Sequence, residues 1–252
     1  MGLLGILKHK IFVGSRTSGV FRSAAEARRH IPPRRKVGFD HGEAADLYPW
    51  LMDYTKISDF AVLFYFNKLL QPGMRVFDFG GNIGVLYYSF QKHWKLPERL
   101  TWTVCDMPAI VAAGRKRAAE REAPGLEFTS DFRDAANADV LLTSGTLQCV
   151  EDDFAPMLKS LGAAKPSHVL INRVPMWNRP ELVSLQDLGP VIYPYRIFDR
   201  SQFLGSLEAT GYTVRDKWEC PEKSISIRFR PWIRISSFDG YYLSLHPVAA
   251  QP

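Results

Sequence analysis

Hydrophobic positions along the chain follow two alternating periods. Between residues 74 and 174, short and almost wholly apolar runs recur: RVFDFG (75–80), RLTWTVCD (99–106), LEFTSD (126–131), ADVLLTSG (138–145) and SHVLINRV (167–174). Stretches with helical spacing separate them, at residues 83–93, 108–122 and 151–162. Strands apolar on both faces, alternating with helices, predict a parallel sheet covered on both sides. Upstream, residues 55–71 read as a helix. Ser58 or Asp59 caps it, Phe60, Leu63, Phe64 and Leu70 share a face, and Pro72-Gly73 stops it. Downstream, 199–211 is a capped helix with a glycine stop. Residues 212–221 and 239–247 form a closing strand pair, antiparallel to the rest. The expected class is therefore α/β, a doubly wound, mainly parallel sheet of seven strands. One segment, WNRPELVSLQDLGPVIYPYRIF (177–198), is rich in Pro and Tyr, and its length marks a functional connection.

Composition narrows the class. The chain has 252 residues, 46% hydrophobic and 23% charged, as expected of a soluble globular protein. Its longest apolar run, Phe60 to Phe66, is too short to cross a bilayer. The opening MGLLGILKHK has neither the apolar core nor the cleavage site of a signal peptide. Three distant cysteines (Cys105, Cys149, Cys220) give no disulfide framework, and six scattered histidines give no metal spacing. A cytoplasmic protein without a metal is expected. The net charge of +6 is uneven: residues 1–36 hold nine Lys/Arg against Glu26 alone, leaving −2 for the rest. Residues 1–45 thus read as a basic, solvated extension and linker, and 46–252 as one domain. The amphipathic MGLLGILKHKIF suits a weak contact with an anionic membrane surface. The arm lacks the interleaved aromatics on which bases stack, which disfavours nucleic acid.

The informative motif is VFDFGGNIG (76–84), in the first strand-to-helix turn. Ligands of open parallel sheets sit beyond the carboxyl ends of the strands. Gly80, Gly81 and Gly84 permit a sharp turn there, and Asn82 tolerates the left-handed region. Counting from Gly80, a dinucleotide fingerprint would need glycines where Asn82 and Val85 stand, and no phosphate-loop Lys-Ser/Thr follows. A carboxylate beside the turn, Asp78, suits an ammonium or a sulfonium better than a pyrophosphate. Asp106, ending the second strand, is placed for ribose hydroxyls or, alternatively, to cap the helix from Pro108.

These segments resemble class I methyltransferases that use S-adenosylmethionine. VFDFGGNIG is similar to their first motif, an acid followed by spaced glycines. CDMPAIV (105–111) resembles the acid-Leu-Pro segment of small-molecule O-methyltransferases, TSDF (129–132) their Gly-Asp-Phe, and ADVLLTSGTLQCVEDD (138–153) their fourth strand and its loop. The likeness spans residues 75–215, and the whole resembles a bacterial methyltransferase-like family associated with surface-polysaccharide loci. It implies a Rossmann-like fold and S-adenosylmethionine as cofactor. Asp78, Gly80, Gly81, Asn82 and Gly84 would hold the methionine end. Asp106 and Met107 would take the ribose and adenine edge, with Asp131 and Phe132 nearby, and Ser144 and Thr146 would close the floor.

One departure changes the chemistry. Where those O-methyltransferases carry Leu-His-Asp-Trp with a base histidine, this chain reads Leu147-Gln148-Cys149-Val150. Glutamine cannot take a proton from a hydroxyl, so that mechanism is not carried over and no catalytic residue is assigned. Candidates for the acceptor side are Gln148, Asp152, Asn172, Arg173, Tyr193, Tyr195 and Arg196, the two arginines as a clamp for an anion. The expected reaction is methyl transfer to a small-molecule or glycan acceptor, at oxygen. The rival readings are an inactive scaffold with this fold and a nucleic-acid methyltransferase. The Asn/Asp-Pro-Pro-Tyr/Phe signature of amino-directed nucleic-acid enzymes is absent after the fourth strand.

Overall fold

A computed structural model describes residues 16–40 and 49–245. The expected helix in MGLLGILKHKIF, part of the linker and the end of the last strand lie outside the described residues.

The alternating pattern folds as a seven-stranded sheet. Its strands are β2 (Arg75–Phe79), β3 (Thr101–Cys105), β4 (Leu126–Thr129), β5 (Val140–Ser144), β6 (His168–Val174), β10 (Thr213–Cys220) and β13 (Phe238–Ser244). Their spatial order is β10-β13-β6-β5-β2-β3-β4. Strands β2 to β6 are mutually parallel, and β13 runs antiparallel to both β6 and β10, which makes the expected closing pair. The central strands bury successive side chains in opposite layers. Val76, Val140, Leu142 and Leu170 enter one apolar cluster, whereas Phe77, Leu141, Val169 and Ile171 enter the other.

Each layer is covered by the helices that the spacing predicts. Helices α2 (Asp59–Leu69), α3 (Val85–Phe90) and α4 (Pro108–Glu120) fill the first, where Phe66 and Phe90 meet Trp102 edge to face at 5.3 and 6.2 Å. Helices α5 (Phe154–Ser160) and α6 (Arg200–Glu208) fill the second through Phe154, Leu158, Phe203 and Leu207. Burying a side chain of this size is worth about 2 kcal/mol, so each face contributes through many small terms. Two helices are shorter than their patterns. Helix α3 starts only after Gly84, whose left-handed backbone (φ 85°) forms the N-cap, and α5 starts after Asp153 rather than Asp152.

The structure departs from the expectation of one sheet. A second, six-stranded sheet has the order β12-β11-β1-β8-β9-β7. It draws on three parts of the chain: β1 (Arg16–Phe21); β7 (Met176–Trp177), β8 (Leu182–Asp187) and β9 (Ile192–Asp199); and β11 (Ile225–Ile227) with β12 (Arg230–Ile235). Strand β1 lies inside it, antiparallel to β8 and parallel to β11. The Pro/Tyr-rich segment is therefore mostly regular strand, and residues 16–28 of the basic arm are β1 and helix α1 (Ala24–Arg28) rather than solvated chain. Part of that arm's charge is neutralised locally, since Arg35 makes a two-pronged pair with Asp187 (2.7 and 2.8 Å) and Arg28 pairs with Glu151. Leu182, Tyr193, Tyr195, Ile197, Ile225 and Ile233 join this sheet to the first core layer.

Candidate functional site

The order of strands reverses between β2 and β5, and the two loops leaving these strands meet there, where folds of this kind place their ligands. The first is the glycine turn. Gly80 has φ 75°, and a Cβ on it would lie 2.1 Å from the Thr146 hydroxyl. Thr146 therefore closes over Gly80, its Oγ1 donating to the Gly80 carbonyl at 3.4 Å. Asn82 adopts φ 55°, the left-handed conformation expected of it, and its Oδ1 accepts from Ile83 N at 2.9 Å.

Asp78 is fully buried beneath this turn. Its Oδ2 accepts from Trp102 Nε1 at 3.2 Å, while Oδ1 has no partner among the described residues. A Cβ on Gly81 would stand 2.4 Å from Oδ2, so the turn rests directly on the carboxylate. Burial pushes the Asp78 carboxyl up to about 7, helped by the charge of Asp106. An orphaned carboxylate oxygen in that position is unfavourable by itself and fits a ligand cation.

Asp106 is half-buried at the end of β3. Its Oδ2 accepts from Asn82 N at 2.9 Å and its Oδ1 from Met107 N at 2.8 Å, which ties the glycine turn to the second strand. Burial raises its pKa to about 6 against these two hydrogen bonds. The capping role for the next helix falls largely to Asp40, whose Oδ1 accepts from Ala109 N at 3.0 Å. Asp106 thus keeps lone pairs beside the turn, a geometry that suits a vicinal diol. Met107, half-exposed, follows it.

The other cofactor candidates are placed less simply. The Asp131 carboxylate engages Arg133, which holds it well below the usual range. The Phe132 ring packs against Phe77, Phe79 and Phe154 at 5.8, 5.1 and 6.4 Å. Ser144 Oγ accepts from Asn172 Nδ2 at 3.1 Å.

The acceptor-side candidates divide. Gln148 is buried near Gly145, its Oε1 without a partner among the described residues. Arg173, also against Gly145, has a left-handed backbone (φ 58°) and a buried ion pair with Asp59. Asn172 spends its amide on Ser144, Asp59 and Ser58, and accepts from Trp218 Nε1 at 2.9 Å. Tyr193 donates to Gln186 and neighbours the Cys149 thiol, which burial pushes up to about 12 and so keeps protonated. Tyr195 is buried in the second sheet. Arg196 pairs with Glu181 at 2.9 Å and Asp153 at 2.6 Å, and its Nη1 donates to the backbone carbonyls of Glu151 and Asp152 at 3.4 and 3.5 Å. Neither arginine is an uncommitted clamp.

Sequence reasoning missed the groups around Arg173. Ser58 donates to Glu222, and Lys56 N donates to Asp59 Oδ2 at 3.0 Å. These contacts set Lys56 and Lys223, which adjoins Glu222 in the chain, in one electrostatic neighbourhood with Arg173. Nothing in the local sequence marks either lysine, because α2 and the β10–β11 connection meet only in the fold. Two surface clefts of about 390 and 350 Å³ lie along β4 and α4, and no residue of the glycine turn lines them.

No protein-family model and no curated protein sequence matches the chain. Many solved structures do. An S-adenosylmethionine-dependent methyltransferase from Clostridium acetobutylicum superposes with a TM-score of 0.53 at 12% identity, over 81% of this chain and 98% of the other. The 1,6-didemethyltoxoflavin-N1-methyltransferase of Burkholderia thailandensis, solved with S-adenosylhomocysteine, gives 0.52 at 17% identity, over 85% and 97%. The fold is a methyltransferase fold. Against the mitomycin 7-O-methyltransferase MmcR the match is looser, with a TM-score of 0.44 at 20% identity; the chain spans only 49% of that protein's length. The glycine turn and Asp106 lie at the carboxyl ends of β2 and β3, beside the point where the strand order reverses.

Proposed function

We propose that the protein transfers a methyl group from S-adenosylmethionine to a small-molecule or glycan acceptor, at oxygen. The observation that carries this reading is the glycine turn seated on the Asp78 carboxylate, whose Oδ1 has no partner among the described residues, and tied to Asp106. Such a site meets the three demands of this cofactor: a cation at the methionine end, two ribose hydroxyls, and no phosphate. Gly80, Gly81, Asn82 and Gly84 would bind the methionine end, Asp106 the ribose, and Met107 the adenine edge. Asp131 and Phe132 would flank the base, and Ser144 and Thr146 form the floor.

When bound, S-adenosylmethionine supplies an electrophilic methyl group. The protein's part is to align the acceptor with it and to exclude water. Gln148 and Tyr193 stand nearest that role among the residues singled out from sequence, as positioning groups rather than bases. The sequence resemblance to a methyltransferase-like family of surface-polysaccharide loci is what supports a glycan acceptor in a cytoplasmic setting.

A weak membrane-surface contact through the basic N-terminus is supported by the edge beside it. Arg230, Trp232 and Arg234 alternate with buried Ile233 and Ile235 on edge strand β12, so they share its outer face, next to Phe229 and Arg228. Phe229 and Trp232 are 82% and 65% exposed. Arg228 N donates to Thr17 O, which joins this edge to the strand that residues 1–15 precede in the chain. Aromatic and basic side chains on one exposed face suit a lipid interface. No helix among the described residues is long and apolar enough to cross a membrane.

Calorimetric titration with S-adenosylmethionine and S-adenosylhomocysteine tests the central reading, beside Asp106→Ala. Micromolar binding that weakens at least about tenfold in the variant is expected, from the loss of charged hydrogen bonds. No binding of either ligand by well-folded wild type overturns it and puts the scaffold reading in front.

A further inference from the structure

Residues 35–40, part of the stretch that reads as linker in the sequence, are held at two ends of unequal strength. At the first end, Arg35 pairs with both oxygens of Asp187 at 2.7 and 2.8 Å and donates to the Gly189 carbonyl at 2.6 Å. The backbone then lies along β9: Ile192 N donates to Lys36 O at 3.2 Å, and Gly38 N donates to Ile192 O at 3.1 Å. Phe39 follows, its ring 4.7 Å from that of Tyr193. At the second end the hold is a single hydrogen bond, from Ala109 N to the exposed Asp40 carboxylate at 3.0 Å. Gly38 stands between the two, with φ 77° and nothing within 4 Å of a Cβ built on it. A glycine in open space, between a fixed segment and a singly held one, is a hinge.

The two ends flank the glycine turn. Strand β9 packs against Leu147–Cys149, the turn that leaves β5, whereas Ala109 belongs to the first turn of α4, which leaves β3. In the sheet, β2 lies between β5 and β3. Those two strands are about 10 Å apart, two strand spacings. The backbone from Gly38 to Asp40 spans about 7 Å, and the aspartate side chain with its hydrogen bond covers the rest. That reach leaves no slack for a detour. Residues 38–40 cross the carboxyl end of β2, where the glycine turn lies, and end one helical turn from Asp106 and Met107.

We propose that Gly38–Asp40 is the outer wall of the cofactor site, with Phe39 and Tyr193 covering the bound S-adenosylmethionine, and that the Asp40–Ala109 hydrogen bond is the latch that opens for the cofactor to leave. A fixed end, a hinge and a weak latch let this wall swing without disturbing either sheet. The assignment rests on the methyl-transfer reading and adds Phe39 and Asp40 to its site.

The test follows release of S-adenosylhomocysteine from the full chain by stopped-flow tryptophan fluorescence, Trp102 being bonded to Asp78. Asp40→Ala is expected to speed release about fivefold, the worth of one helix-cap hydrogen bond. Asp40→Asn keeps a capping oxygen and should stay within about twofold of wild type. Amide hydrogen exchange supplies a second readout on the wild type alone, so it stands whatever the variants do. Saturating S-adenosylhomocysteine should slow exchange in peptides covering residues 36–40. An aspartate that only caps α4 would lower the melting temperature of Asp40→Ala and leave both readouts unmoved. Release unchanged in a folded Asp40→Ala, or exchange at 36–40 indifferent to the ligand, overturns the wall alone. Failure of well-folded wild type to bind the ligand overturns the methyl-transfer reading and the wall with it.

Discussion

At the scale of single residues, the site is governed by carboxylates whose surroundings oppose their charge. Asp78 holds its proton to about pH 7 in the folded chain and to the ordinary value of 3.8 when unfolded. Between those values the native state binds the extra proton, so ionising Asp78 costs stability as pH rises from about 4 to 7. Asp78→Asn keeps the shape without the charge. Its melting temperature relative to wild type is therefore expected to climb between pH 5 and pH 8, by calorimetry without ligand. A parallel or falling difference would contradict the buried-carboxylate account. A ligand ammonium reverses the preference. Affinity of the wild type for S-adenosylhomocysteine should improve by up to about tenfold per unit as pH rises toward 7 and level off above it, and the Asn variant should lose that dependence. The sequence showed Asp78 and Asp106 because they sit at strand ends within a recognisable turn. It did not show the pairing of Arg173 with Asp59, which joins residues far apart in the chain. The Arg173–Asp59 pair also explains why Arg173 misled: a buried guanidinium next to a substrate loop is spent on structure. Asp59→Ala would leave that charge unpaired and is expected to cost about 3 to 5 kcal/mol in denaturant unfolding.

At the scale of elements, the pattern of the chain was most legible where local and tertiary demands coincide. Strands β2, β5 and β6 are buried on both faces, so their apolar runs leave no alternative period, whereas edge strand β4 exposes Glu127. The two short helices were misjudged for local reasons. Helix α3 cannot begin before Gly84, because Gly80, Asn82 and Gly84 all take left-handed backbone, and an apolar periodicity does not record that. The turn is also where small changes should have large effects. A methyl group at Gly81 meets the Asp78 carboxylate at 2.4 Å, and backbone and carboxylate are both fixed by neighbours. Gly81→Ala is expected to lower affinity for S-adenosylhomocysteine by at least about tenfold, with a smaller loss of melting temperature, since α3 and its contacts remain. Unchanged affinity in that variant would place the methionine end elsewhere.

At the scale of the whole molecule, a familiar sheet is joined to a second one that no local signal announces. Strands β1, β7 to β9 and β11 to β12 come from the start of the chain and from the two connections around β10. Each piece read alone looks like a basic arm, a Pro/Tyr loop or an unassigned link. They become one sheet only because Thr17 pairs with both Gln186 and Ile227, a relation between distant residues that periodicity cannot carry. This arrangement divides the basic N-terminus into two parts with different consequences. Residues 16–21 are an interior strand, hydrogen-bonded on both edges, and Ser184 Oγ donates to the carbonyls of Ser18 and Gly19 at 3.0 and 2.7 Å. Residues 1–15 precede that strand in the chain, and Arg228, whose backbone donates to Thr17 O, opens the edge run of Phe229, Arg230, Trp232 and Arg234. Removing residues 1–15 should therefore leave the melting temperature near that of wild type, whereas removing 1–21 opens the second sheet between β8 and β11 and should lower it by many degrees. The membrane contact should respond in the opposite sense. Sedimentation with vesicles containing anionic lipid is expected to weaken in the shorter deletion and in Phe229→Ser with Trp232→Ser, exposed positions whose replacement leaves the fold intact. Binding that is indifferent to both changes, or to vesicle charge, would restrict the arm to its structural strand.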